Sequence, residues 1–441
     1  MKKLITLLCL LSLLLPLCAC SSELVADQRA ETGTLTEEAK TETEEEPLPT
    51  GEIVYPEGFS VGYNRQSVAP EVFPVQTYTY FNHMGYSNHD PVQVTCTALC
   101  DGTTPFLMIS LDIRGVDTGF VDYSTRLIEK AVGIPKEQVF INATHTHSAP
   151  DNSHLGEGNL KQWLQLYYKR LIRAVTLALH DLTPAEAYTG AAHTEGITFV
   201  RRYLMDDGSY RGIDTQANGR QHVAHETEAD TELRTVRFAR SGKKDVLMVN
   251  YQTHYGGSFP DSISADFIHL IREQTEKELD CHFAYYSGAG ANLSFVSNIP
   301  GKRLYPNIEA ASPAIVQTVK DAIRAETKLE AGKVVGIREE YQATAKGNWK
   351  KGIPFGAITC GDLGFVSAPY EMFDTNGKEI RDASPCKTTF VCTLSGGGFG
   401  YVPSAFAFPH GGYEVNNCQF VEGSGEEFAR EFVRLLTECK K

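Results

Sequence analysis

Asn142-Ala143-Thr144-His145-Thr146-His147-Ser148-Ala149-Pro150-Asp151 is the stretch on which the reading of this chain turns. It follows an apolar β-type run, Val139-Phe140-Ile141, and ends in a proline-containing turn. In an extended strand alternate side chains share a face, which would set His145 and His147 on one side, about 7 Å apart along the chain. Neutral imidazole is the commonest protein ligand for zinc, and catalytic zinc gathers its ligands from several segments. Two readings stay open at this point. The pair is either the seed of a metal site at the carboxyl end of a buried strand or an ordinary polar pair at a strand end.

Strand-like runs recur on both sides of this one, over residues 92–99, 106–113, 185–192, 235–238, 246–251, 282–286, 334–337, 363–367 and 389–394. Helical periodicity appears over 123–132, 160–182, 267–279, 308–325, 372–383 and 426–439. In the second helix Leu164, Tyr167, Leu171, Val175, Ala178 and Leu182 form one apolar stripe, the pattern of a core-facing helix. Strands and helices interleave without strict alternation. The expected fold is therefore α/β, of the mixed α+β kind, with layered β-sheets flanked by helices in a single large domain. Gly288-Ala289-Gly290 and Gly396-Gly397-Gly398 lack the strand-turn-helix glycine fingerprint, so a dinucleotide fold is not supported.

The ends read differently. Lys2 and Lys3 precede an apolar run over 4–17, closed by Leu17-Cys18-Ala19-Cys20. This is the form of a secretory signal, and it resembles a bacterial lipoprotein signal with Cys20 as the lipidated residue. The run is short for a membrane span, which needs roughly 20 apolar residues. The expectation is an extracytoplasmic protein anchored by lipid to the bacterial cell membrane. Residues 21–50 carry nine acidic and two basic residues, half of the chain's net charge of −14, and end in Pro47 and Pro49. Such a segment cannot offset its ordering entropy and reads as a disordered tether. No basic cluster suggests a nucleic-acid partner. Eight cysteines lie beyond Cys20 without zinc-knuckle spacing, and no bridge is assigned.

Within 51–441, candidate ligands fall at the ends of separate apolar runs. Val249-Asn250-Tyr251-Gln252-Thr253-His254 sets a histidine just past a strand, before the flexible pair Gly256-Gly257. Phe365-Val366-Ser367-Ala368-Pro369-Tyr370-Glu371 sets a carboxylate near a helix amino terminus, where the helix dipole favours it in any case. Tyr401 and Tyr413 sit in glycine-rich turns, where hydrophobic anchoring is the plainer role.

In this order the segments resemble the catalytic domain of the neutral, non-lysosomal ceramidase family. The likeness starts at Val61-Gly62-Tyr63 and Val68-Ala69-Pro70 and runs through His89-Asp90-Pro91 and Leu111-Asp112 to Thr144-His145-Thr146-His147-Ser148-Ala149-Pro150. It continues at His254, at Ser287-Gly288-Ala289-Gly290-Ala291-Asn292-Leu293-Ser294, at Ala368-Pro369-Tyr370-Glu371, and at Tyr401 and Tyr413 with the family's twelve-residue spacing.

The resemblance implies a zinc ion held by His145, His254, Glu371 and Tyr401. It further implies that Ser294, Arg201 and Tyr413 line the reacting centre, with His147 in or beside the ligand set and Arg202 the alternative register for Arg201. Ser294 is either the nucleophile or a substrate-orienting group for attack by metal-activated water, the latter being the preferred reading. The implied substrate is an N-acylated, ceramide-like lipid or another small N-acyl amide. Hydrolysis of an ester or lactone at the same site, and a ligand-binding lipoprotein without turnover, are the competing readings.

Asn292, Phe295 and Tyr370 depart from the family pattern, and Tyr370 is expected to add bulk beside the metal. A single catalytic domain closed by one terminal helix is expected, without the extra C-terminal β-sandwich domain of larger ceramidases. No Gly-x-Ser-x-Gly elbow is present to support a serine triad.

Overall fold

The computed structural model describes residues 46–77, 83–103, 105–152, 158–212, 218–254, 259 and 261–441. The expected signal peptide, the tether as far as residue 45 and the Gly256-Gly257 pair lie outside the described residues. From Leu48 to Lys441 the chain forms one compact unit.

Eight strands of a large mixed sheet carry the unit: β1 (Ser60–Ser67), β2 (Gln93–Cys100), β3 (Phe106–Leu111), β4 (Val139–Ala143), β5 (Thr183–His193), β6 (Glu232–Arg240), β7 (Val246–Tyr251) and β8 (His282–Ser287). Their order is β8-β7-β6-β5-β1-β2-β3-β4, and the short strand Thr327–Leu329 adds to β5. A second sheet of four strands, β9 (Val334–Thr344), β10 (Lys350–Cys360), β11 (Leu363–Ser367) and β12 (Thr388–Cys392), runs in that order. The pairs β3–β4, β7–β8 and β11–β12 are parallel.

Strand alternation explains how these sheets stack. Phe106, Met108 and Phe140 point one way and pack with Ile358, Phe365 and Phe390 of the second sheet. Leu107, Ile109 and Ile141 point the other way, into a core closed by helices α1 (Thr118–Val132), α2 (Gly158–His180), α3 (Phe267–Leu279) and α4 (Ile308–Arg324). The outer face of the second sheet packs Ile353, Phe355 and Val391 against α5 (Asp374–Ala383) and α6 (Ser424–Cys439). The result is four layers, helix-sheet-sheet-helix, as the interleaved pattern led one to expect. The apolar stripe of α2 is core, with Tyr167, Leu171, Val175 and Ala178 all fully buried.

Strands β1 and β10 were not expected. The second half of β1 is polar, and β10 (Lys-Lys-Gly-Ile-Pro-Phe-Gly-Ala-Ile-Thr-Cys) contains residues that normally interrupt strands. Pro354 lies before β11 joins at Gly356, where β10 has β9 on one side only, an edge position that tolerates proline. Gly356 and Gly336 have a packing reason: a β-carbon at either would run into the ring of Phe140 or Phe106 from the facing sheet. The glycines are recesses that let the sheets interlock.

Two buried asparagines join the sheets at one end. Asn142 accepts from Ser287 N (3.1 Å) and donates to Thr393 O (2.5 Å), tying β4 to β8 and to the segment after β12. Asn250 donates to Tyr286 O (2.9 Å) and Val391 O (3.3 Å). The loops leaving β4, β7, β8, β11 and β12 therefore open close together.

Candidate metal centre

Strand β4 stops at Ala143, and the chain does not stay extended through both histidines. His145 adopts φ +70°, a left-handed turn that non-glycine residues enter at a cost. The expectation that His145 and His147 share a strand face is thus corrected: a turn, not a pleat, brings them together. Their Nε2 atoms stand 3.4 Å apart. His145 Nδ1 donates to Arg114 O at 2.6 Å, which in the neutral ring leaves Nε2 as the free lone pair.

Asp266 holds this turn. Its Oδ2 accepts from Thr146 Oγ1 (2.7 Å) and His147 N (3.2 Å), and its Oδ1 accepts from Ser148 Oγ (3.0 Å). Asp266 itself sits at φ +52°, ψ −139°, a region almost reserved for glycine, which costs about 1–3 kcal/mol. The hydrogen bonds require a carboxylate there.

His254 follows β7, and its ring centroid lies 4.6 Å from that of His145 and 5.3 Å from that of His147. The ligand atoms of the three histidines lie within 4.8 Å of one another. Glu371 adjoins two of the three, with Oε2 3.6 Å from His145 Nε2 and 4.0 Å from His254 Nδ1. Backbone pairing sets Glu371 directly beside Tyr401, and Glu371 N donates to Gly400 O (2.8 Å). Strand alternation then turns Tyr370 the opposite way. It is fully buried against Phe355 and Phe428 in the core of the second sheet, so the expected narrowing of the pocket by Tyr370 is corrected.

The adjacent arginines separate cleanly. Arg201 Nη1 donates to His254 Nδ1 (3.2 Å), its Nε to Glu414 Oε1 (2.8 Å), and its Cζ lies 6.0 Å from the Tyr401 ring centroid. Arg202 turns away to Glu226, to the other oxygen of Glu414 (3.0 Å) and to Gly411 O (2.8 Å). The Tyr413 ring stands edge-on to Tyr401 at 5.3 Å. Ser294 pairs with Phe199, while Arg201 N bonds to Asn292 O (2.8 Å) and Phe295 N to His254 O (3.3 Å). Every side chain singled out in the sequence is thus carried by loops bonded to one another.

The electrostatics suit a cation. Burial pushes His145 below its ordinary value, with Glu371 pulling partly back. His147 falls well below through burial and the neighbouring His145, and His254 through burial and Arg201. These shifts favour neutral rings; His145 presents its Nε2 lone pair, whereas the His254 Nδ1 lone pair takes the Arg201 donor. Glu371 Oε2 is buried and takes no hydrogen bond among the described residues. An orphaned carboxylate oxygen is costly unless a positive charge meets it. Neutral imidazoles and one carboxylate fit a borderline divalent ion.

The sequence reading overlooked Asp266, Glu414, Asn142 and the Arg114 carbonyl. Only Asn142 carried a signal, as a polar residue at a buried strand end beside the histidines.

No protein-family model matches the chain, and no curated protein matches it by sequence. Its fold does match solved structures. Over 87% of this chain and 75% of the other, it superposes on neutral ceramidase from Pseudomonas aeruginosa with a TM-score of 0.70 and 14% identity. A structure described as ceramidase complexed with C2 matches at a TM-score of 0.71 and 14% identity, over 87% and 76%. The likeness establishes a shared mixed α/β architecture.

Proposed function

We propose that this protein is a zinc-dependent hydrolase that cleaves the amide bond of an N-acylated, ceramide-like lipid or another small N-acyl amide. The observation that carries the reading is the convergence of His145, His147 and His254 on one point, with the orphaned Glu371 oxygen beside His145 and His254. The shared architecture with ceramidases supports it. His145, His254, Glu371 and Tyr401 would hold the ion. Bound zinc supplies Lewis acidity and makes water acidic enough to react near neutral pH.

The remaining groups divide the work. His147, neutral and beside the ligands, takes the proton released on attack and returns it to the leaving nitrogen. Arg201 stays cationic: burial opposes its charge, but Glu414, Tyr401 and Glu371 outweigh that. It and Tyr413 stabilise negative charge developing on the carbonyl oxygen. Ser294 hydrogen-bonds and orients the amide. We further infer an extracytoplasmic enzyme anchored through lipidated Cys20, on the strength of the run that ends there.

Metal analysis tests the site. About one zinc per chain is expected, lost in H145A and H254A; unchanged content in both variants would reject the ligand set. A panel of ceramides of differing chain length, simple N-acyl amides and simple esters tests the chemistry. Cleavage of esters with every amide intact would replace the amidase reading with an esterase one.

A further inference from the structure

The turn joining β9 to β10, Ala345-Lys346-Gly347-Asn348-Trp349-Lys350-Lys351, has a character unlike the rest of the surface. Trp349 is 54% exposed, whereas the chain's other tryptophan, Trp163, is buried and donates its indole N–H to Val68 O. Three lysines lie within three residues of Trp349 in sequence, and no acidic residue occurs from 343 to 355, in a chain of net charge −14. Gly347 and Asn348 make the turn with positive φ, so the backbone has no need of a tryptophan there. Lys351 Nζ lies 5.9 Å from the Trp349 ring centroid and 5.2 Å from that of Phe399. Lys346 Nζ donates to Val415 O (2.9 Å) and Lys350 Nζ to Thr344 Oγ1 (2.8 Å). An ammonium has three donors, so each lysine keeps capacity for an anion.

Backbone pairing ties this turn to the candidate centre. Ala345 pairs with Phe420 and Lys346 N donates to Gln419 O (2.8 Å). The adjoining Cys418 pairs with Tyr401, which pairs with Glu371. Neighbouring strands lie about 4.8 Å apart, so the base of the turn stands roughly 15 Å from Glu371. Single exposed apolar residues are ordinary. An exposed tryptophan in a lysine-rich turn is the composition that seats at a membrane–water interface carrying anionic lipid.

We propose that this turn docks on an anionic phospholipid bilayer, with Trp349 entering the interface and Lys346, Lys350 and Lys351 meeting headgroup phosphates. Docking there holds the neighbouring centre against the membrane that carries its substrate. That purpose rests on the proposed function, whereas the binding rests on the turn alone.

The test uses the chain from residue 21 onward, which lacks Cys20 and carries no lipid. Because Trp163 is buried, Trp349 reports directly through its fluorescence. Vesicles of phosphatidylcholine mixed with phosphatidylglycerol are expected to shift its emission to the blue, and brominated acyl chains to quench it. Phosphatidylcholine alone should do neither. Replacing the three lysines by glutamine (K346Q/K350Q/K351Q) is expected to weaken partitioning on the order of a hundredfold. W349A should lose vesicle-borne substrate turnover while keeping turnover of a soluble short-chain amide, and H145A should bind vesicles normally. An unchanged emission spectrum, or equal partitioning of the lysine variant, overturns the proposal. So does a lipid-free dimer abolished by W349A, which would make a second copy the occupant. Vesicle binding without turnover of any amide removes the proposed function and leaves docking standing; turnover without vesicle binding does the reverse.

Discussion

Arg201 stands between two buried clusters that treat charge in opposite ways. On one side Arg202, Glu226 and Glu414 form a closed set, each side chain at most 3% exposed. All five guanidinium donors of Arg202 are used, on Glu226, Glu414, Gly411 O and Ala407 O. On the other side three imidazoles crowd together, two of them beside a carboxylate oxygen that takes no hydrogen bond among the described residues. Burial alone does not distinguish them. A cluster in which every carboxylate oxygen meets a donor is structural, as Glu414 does through Arg202 and Arg201 and Glu226 through Arg202 and His410, whereas one that leaves a carboxylate oxygen without a donor is completed by something it binds.

The largest effect should come from opening the closed cluster. R202A removes the arginine shared by two buried carboxylates, leaving Glu414 with Arg201 and Glu226 with His410, and is expected to cost about 3–5 kcal/mol in urea unfolding of the metal-free domain. H254A should cost clearly less, because it relieves crowding among unpaired groups. Equal losses in the two variants would break the comparison.

Arg201 belongs to the open side through His254. R201A is expected to lower turnover about 10²–10³-fold, the scale of a lost charge-stabilising donor. Metal content should be retained; loss of the metal in step with turnover would instead make Arg201 a structural support.

Asp266 anchors the loop that carries two histidines, its carboxylate accepting from Thr146, His147 N and Ser148. D266A removes all three acceptors. Metal affinity is expected to fall roughly ten- to hundredfold, as for other residues that orient ligands. Titration with a chelator would measure it, and unaltered affinity would remove Asp266 from the site.

The smallest effect concerns pH. The three imidazoles titrate below 6.5 in the folded chain. Below that pH the unfolded chain therefore binds more protons than the folded one, and stability declines as pH falls towards the folded values. Metal-free protein should melt progressively lower from pH 7 to pH 5, and saturating zinc should steepen that dependence, since protons and metal compete for the same lone pairs. Melting temperatures independent of pH over this range would mean the histidines are not held neutral.

Much of this was legible beforehand, for reasons that differ by element. Helices α2 and α4 and strands β4, β7 and β11 announce themselves through apolar periodicity, because each buries a continuous face. Strand β10 did not, since Gly352, Pro354 and Gly356 imitate a loop until the rings of the facing sheet are in view. The histidines and Glu371 were legible as candidate ligands at the ends of apolar runs, the two tyrosines only through the family resemblance. Asp266 and Glu414 were not, because an isolated acid looks the same whether it is solvated or holds a loop.

Residue types and their order along the chain therefore determined the layered α/β architecture and named the groups able to meet a metal. Only tertiary structure decided which of two adjacent arginines faces those groups, that Tyr370 turns into the core, and that a left-handed turn at His145 replaces the straight strand. The reason is physical. Periodicity reports which side of an element is buried, but the partner across a loop is set by backbone bonds between segments far apart in sequence, as between Glu371 and Tyr401 or Asn142 and Thr393.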